Sequence, residues 1–127
     1  MANEFIVKNG LISKSVVEVE GSLVTKNEIH NNGTSTLTGS GTITVSGASI
    51  VVLRITGIDA VTLPNGNNGQ KLTIYIQQNT GTDTTITPTT LLGATSITMN
   101  AAGDSVHLLY QTSVGWVIIG GNGFTTS

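Results

Sequence analysis

Residues 70–77 read Gln70-Lys71-Leu72-Thr73-Ile74-Tyr75-Ile76-Gln77, with the aliphatic Leu72, Ile74 and Ile76 at every second position. A period of two sends successive side chains to opposite faces, so this stretch is a half-buried β-strand. Working outward, the same alternation marks Thr42–Ser46, Thr84–Thr87 and Ser96–Met99 as strands. The paired faces, one packed and one wet, are those of antiparallel sheets. Ser49–Thr56, Ser105–Gln111 and Trp116–Ile119 carry denser apolar runs and read as more fully buried strands. Turn residues punctuate them: Pro64–Gly69 (PNGNNG), Asn79-Thr80-Gly81, Ala102-Gly103-Asp104 and Gly120–Gly123 (GGNG). No window holds apolar residues at helical spacing without interruption by Gly, Thr or Asn. The chain is therefore expected to be all-β, with about eight head strands near the ten-residue rhythm of a sandwich or jelly roll.

Composition narrows the classes further. Gly, Thr, Ser and Asn fill 59 of 127 positions, hydrophobic residues make up 38% and charged residues only 9%. Five Lys and Arg in total cannot form the clustered basic surface that phosphates require, so nucleic acid is excluded as a partner, as is a polybasic membrane anchor. A mean hydropathy of +0.21 with abundant β-branched residues argues for a folded chain. Cysteine is absent, which removes disulfides, thiolate metal sites and thiol nucleophiles. The opening MANEFIVKNG lacks the basic and apolar regions of a secretory signal. The longest apolar runs, Ile50–Leu53 and Trp116–Ile119, are far short of the roughly 20 residues of a spanning helix. No membrane insertion is expected.

Seven of the twelve charged residues (Glu4, Lys8, Lys14, Glu18, Glu20, Lys26, Glu28) lie in the first 30 positions. This shift divides the chain into an N-terminal stalk or attachment segment, residues 1–40, and a β-sandwich head, residues 41–127. Short apolar pieces set off by Gly10, Gly21, Gly33 and Gly41 echo one another in the first part, too irregularly for a solenoid. Two accounts fit: strands that borrow a surface from neighbouring subunits, or a flexible leader with a few edge strands.

Catalytic chemistry finds no constellation. There is no G-x-S-x-G elbow, and His30 and His107 lack metal-ligand spacing. Asp83 and Asp104 sit beside Thr and Gly, and Asp59 two residues after Gly57, where Asp forms local turn bonds. Arg54 stands close enough in sequence to Asp59 for an ion pair. PNGNNGQK neither opens a helix nor ends in the Lys-Ser/Thr of a phosphate loop. Non-enzymatic binding is expected, with no cofactor and no metal. The sequon Asn32-Gly33-Thr34 counts for little in so Thr- and Asn-rich a chain. The Thr-x-Thr pairs (Thr42/Thr44, Thr85/Thr87, Thr87/Thr89 and others) would resemble a water-ordering, ice-binding face on a regular sheet. They lack a common repeat length, and the β-propensity of Thr explains them.

Three segments resemble viral and bacteriophage tail-fibre and spike proteins. FIVKNGLI (5–12) is similar to the "V-K-N-G-L" phrase that opens fibre modules. Residues 55–88, ITGIDAVTLPNGNNGQKLTIYIQQNTGTDTTITP, resemble the same modules' "V-T-L-P", Gly-rich loop, strand and polar hairpin. AGDSVHLLYQTSVGWVIIGGNG (102–123) is similar to their terminal hairpin. The resemblance implies a jelly-roll or tumour-necrosis-factor-like head at the virion surface, forming a homotrimer and joined through its N-terminus to a shaft or capsid protein. Its task would be attachment to a host cell-surface receptor, often a glycan. No heptads or shaft repeat are present.

In such a head, receptor contacts belong on loops. The candidates are Asn65, Asn67 and Asn68; Gln78, Asn79, Thr82 and Asp83; and Gln111 and Ser113, whose amides, hydroxyls and carboxylate match sugar hydroxyls. Val106, Leu108, Leu109, Tyr110 and Trp116 are the candidates for an oligomer interface, since both faces of the strand 105–111 carry apolar groups. Trp116 within GWVII reads as an anchor of the core or of a subunit contact. A secreted carbohydrate-binding or adhesin module shares this profile, and an ice-binding protein is a weaker alternative.

Overall fold

In the computed structural model of the chain, Glu18 and residues 33–127 are described. The chain divides into two compact units, Met1–His30 and Asn31–Ser127, and the strands among the described residues all belong to the second. Of the expected stalk, residues 1–40, only Glu18 and 33–40 are described; its other residues, with His30 and the Asn32 of the sequon, lie outside the described residues.

Ten strands make up the unit: β1 Thr34–Thr38, β2 Gly41–Thr42, β3 Ile50–Ile55, β4 Asp59–Leu63, β5 Lys71–Asn79, β6 Thr84–Pro88, β7 Ile97–Met99, β8 Ser105–Gln111, β9 Gly115–Asn122 and β10 Phe124–Thr126. They form two five-stranded sheets, ordered β1-β3-β5-β8-β9 and β10-β7-β6-β4-β2. The architecture is all-β with two mixed sheets, and no helix occurs among the described residues. β1 already belongs to this unit, ahead of the boundary set near residue 40. The composition shift marks where charged residues thin out, whereas the unit begins where backbone pairing begins.

The first six strands alternate between the two sheets, and within each sheet they pair in parallel: β1 with β3, β3 with β5, β2 with β4, and β4 with β6. Each circuit of the chain thus lays one strand on either layer. Only β5–β8, β8–β9, β6–β7 and β7–β10 are antiparallel. The expectation that the alternating strands are antiparallel is corrected here for β2 and for one side each of β5 and β6, while β7 is antiparallel on both sides. Alternation reports that one face of a strand is buried and says nothing of the direction of its neighbour. Circuit length hides the coil as well, since Thr34 pairs with Ile50 but Ile50 with Thr73.

The inner faces meet in one core. Leu53, Leu72, Ile74, Ile76, Val106, Leu108 and Trp116 from one layer pack with Ile43, Val61, Leu63, Ile86, Ile97 and Met99 from the other, all at most 2% exposed. Burying each such side chain contributes about 1.5–3 kcal/mol. β4 (DAVTL) and β10 are not among the strands that alternation marks, and Gly120–Gly123, which reads as a turn, lies largely in β9. Gly121 serves there because its backbone approaches β8 closely, a Cβ at that point falling 2.4 Å from the Ser105 carbonyl oxygen.

Candidate functional site

β5 is nine residues long, so its two ends stand roughly 30 Å apart. That length divides the candidate loops. Gly33 leads into β1, and its carbonyl accepts bonds from the Ser49 and Ile50 N–H groups at 2.7 and 3.0 Å, and from Ser49 Oγ at 3.2 Å. This entry end holds the start of β5 and, because β8 runs antiparallel to it, the end of β8. The far end holds the turns 56–58, 79–83 and 100–104.

At the entry end the loop 64–69 is held from several sides. The Trp116 indole N–H donates to the Pro64 carbonyl at 2.9 Å. Gln70 donates through Nε2 to the carbonyls of Val45 and Ala48 at 2.8 and 2.9 Å, while its Oε1 accepts from the Asn67 N–H at 2.9 Å. Asn68 Oδ1 accepts from the Thr112 N–H at 3.2 Å, tying this loop to the β8–β9 turn. The candidates Asn65, Asn67, Asn68, Gln111 and Ser113, separate in sequence, are thereby gathered at one end with exposed side chains. Beside them, between Ala48–Ile50 and Gly69–Lys71, runs a groove of about 530 Å³.

Gln78, Asn79, Thr82 and Asp83 lie at the far end. Asn79 is the clasp of its turn: Nδ2 donates to the Thr82 carbonyl at 3.3 Å and to the Asn100 carbonyl, and Oδ1 accepts from the Gly81 N–H at 2.9 Å. Gln78, Thr82 and Asp83 have exposed side chains. Asp59 and Asp104 are 6% and 7% exposed; Asp104 acts within its own turn, and Asp59 also ties its turn to the one between β1 and β2. Asp59 accepts from the Thr56 N–H at 2.9 Å and from Ser40 Oγ at 3.4 Å. Asp104 Oδ2 accepts from the N–H groups of Asn100 and Ala101 at 3.0 and 2.9 Å. Arg54 is bonded elsewhere than to Asp59, its Nε donating to Gln77 Oε1 at 2.9 Å.

Four of the five interface candidates, Val106, Leu108, Tyr110 and Trp116, are at most 6% exposed and packed in the core of this one chain. They leave the set of residues a neighbouring subunit can reach. Leu109 alone faces outward, half-buried, on the same side as the exposed His107, whose Nδ1 lies 3.0 Å from Thr73 Oγ1.

Two features escaped the sequence reading. Ile58, at the tip of the turn between β3 and β4, is 85% exposed. Its sequence context, Gly57-Ile58-Asp59, carried the signal of a turn but not of a bare apolar tip. On the outer face of the second sheet, Thr42, Thr62 and Thr87 are cross-strand partners, as are Thr85, Thr98 and Thr125. The hydroxyls thus stand in rows that no repeat length betrays. The sequence matches no known protein-family model, and no curated protein is significantly similar to it. Fold and loops together define an all-β, two-sheet protein whose candidate loop residues lie on hydrogen-bonded turns at two opposite ends.

Proposed function

We propose that this chain is a non-enzymatic head of a virion fibre or spike, a homotrimer at the particle surface that attaches to a host receptor. The observation that carries the reading is the set of uncharged amide and hydroxyl side chains displayed on turns that the framework locks in place. A preordered loop loses little freedom on binding. Because each neutral hydrogen bond contributes only about 0.5–1.5 kcal/mol net, single sites would bind weakly and a trimer would gain by avidity. The trimer draws support from the outer face of the first sheet, where Leu109 and Val117 are half-buried and Ile119 is 53% exposed. The chain before Gly33 would join the shaft or capsid protein. Of the finer head types, a jelly roll or tumour-necrosis-factor-like sandwich is built of antiparallel strands, and the parallel pairing of β1–β6 departs from that plan. The head is therefore proposed as a two-sheet sandwich in the broader sense.

Two measurements test the reading. The mass in solution is expected to be three times the 13.1 kDa of the chain, and the intact protein is expected to bind host cells or arrayed glycans without turning any glycan over. A stable monomer would favour a secreted carbohydrate-binding or adhesin module instead, and steady glycan turnover would overthrow the non-enzymatic assignment.

One observation favours a second reading. The rows Thr42–Thr62–Thr87 and Thr85–Thr98–Thr125 set methyl and hydroxyl groups about 4.8 Å apart across strands, and meet on β6, where Thr85 and Thr87 stand about 6.7 Å apart. Such a face suits the ordering of water, so an ice-binding role draws support here. Inhibition of ice recrystallisation by the protein, lost in Thr62→Lys, would establish it; no inhibition by the intact protein would remove it.

A further inference from the structure

The unit is polar from end to end. Of the five charged residues in 33–127, Lys71 alone lies at the entry end, at the start of β5. Arg54, Asp59, Asp83 and Asp104 all lie toward the far end: Arg54 pairs with Gln78, Asp59 donates its N–H to the Asp83 carbonyl at 3.0 Å, and the Asp104 carbonyl accepts from the Ile76 N–H at 2.9 Å. Three carboxylates face one guanidinium there, so the far end is negative.

Its turns are also fastened to one another. The Thr82 N–H donates to the Gly57 carbonyl at 3.3 Å, and Thr80 reaches the Ile55 carbonyl through both its N–H and its hydroxyl, at 3.0 and 3.1 Å. Gly57 and Gly81 stand backbone to backbone, since a Cβ on Gly81 would fall 2.2 Å from the Gly57 carbonyl oxygen. Asn79 links the turn 79–83 to Asn100, and Asp104 closes the turn 100–104. Ile58 projects from this platform between two residues pinned to Thr82 and Asp83.

Gly33 leads into β1 at the entry end, and the platform of turns lies at the opposite end of the strands. We infer that the receptor site is the far-end platform of turns 56–59, 79–83 and 100–104, with Ile58 as apolar anchor and the exposed Asp83 beside it. Its partner is a protein surface that offers an apolar pocket rimmed by a lysine or arginine. This inference rests on the spike reading and selects between the two loop clusters that reading leaves open. Single exposed apolar residues are common on proteins. What sets Ile58 apart is the conjunction of near-complete exposure, a rigid mount, an adjacent carboxylate and a position opposite the chain's entry. Protein interfaces concentrate their affinity in a few side chains that fill pockets on the partner, and a rigid mount loses little freedom on binding.

The test uses the full chain on a panel of bacterial and eukaryotic cells, and then on the cells it binds. Ile58→Asp, at an exposed position, is expected to keep the circular dichroism and melting of the parent and to weaken binding about tenfold or more. Asp83→Lys is expected to weaken it too, and rising salt to weaken the parent's binding. Protease treatment of the cells should abolish binding, while enzymatic removal of their glycans should leave it. Unchanged binding by Ile58→Asp, with loss in the entry-end variant Asn65→Ala, Asn67→Ala, Gln111→Ala, would overturn the site while leaving the spike reading in place. Binding that survives protease but not glycan removal would overturn the partner. Failure of the intact trimer to bind any cell would sink the spike reading itself.

Discussion

Replacing Trp116 with alanine is expected to lower the unfolding free energy by about 3–5 kcal/mol. Trp116 is the largest of the fully buried side chains. Its ring meets Tyr110 edge-on, with centroids 5.1 Å apart and planes at 67°, and a Cβ on Gly66 would stand only 2.9 Å from it. Its N–H satisfies the Pro64 carbonyl, so truncation opens a cavity and strips a partner from the loop 64–69 at once. Its backbone donates to the Thr90 carbonyl at 3.0 Å and accepts from the Leu92 N–H at 2.9 Å, joining β9 to the segment after β6. Against a typical domain stability of roughly 5–15 kcal/mol, such a loss is a third or more of the total. Urea unfolding followed by circular dichroism measures it, with Trp116→Phe as the companion that keeps a ring and loses the indole bond. A loss below about 1 kcal/mol for the alanine variant would mean that the two layers are held together elsewhere.

Gly115→Ala should be nearly as damaging. Gly115 has φ of +96°, a conformation that costs an L-residue about 1–2 kcal/mol. A Cβ there would also lie 2.6 Å from Thr90 Cγ2 and 2.8 Å from the Thr90 carbonyl oxygen. That carbonyl is the acceptor for the Trp116 N–H, so it cannot withdraw without breaking the joint between the layers. Overpacking of this kind adds about 1–3 kcal/mol, for a total of about 2–5 kcal/mol. Gly93→Ala supplies the control: its φ is +81°, but nothing lies within 4 Å of a Cβ there. The difference between the two midpoints in urea isolates the clash, and equal midpoints would show that Thr90 yields freely.

The identity of β3, β5, β6, β7, β8 and half of β9 was legible in the chain because side-chain period is local, whereas β1, β4 and β10 went unread. Leu72, Ile74 and Ile76 had to share a face whatever they packed against, and Val106, Leu108 and Tyr110 likewise, with Leu109 opposite. The turns were legible because Asn, Gly and Asp bond their own neighbours. The polar character of both loop clusters followed from composition. Strand direction, sheet membership and the ends at which loops gather were not legible. They depend on pairings such as Thr34 with Ile50 and Leu72 with Leu108, which no local pattern encodes. Tertiary structure alone placed Tyr110 and Trp116 in the core instead of at a surface, aligned Thr42 with Thr62 and Thr87, and left Ile58 bare. In each case the deciding quantity is which distant strand covers a side chain. A period of two fixes that a face is buried, and only the closed pair of sheets fixes what buries it.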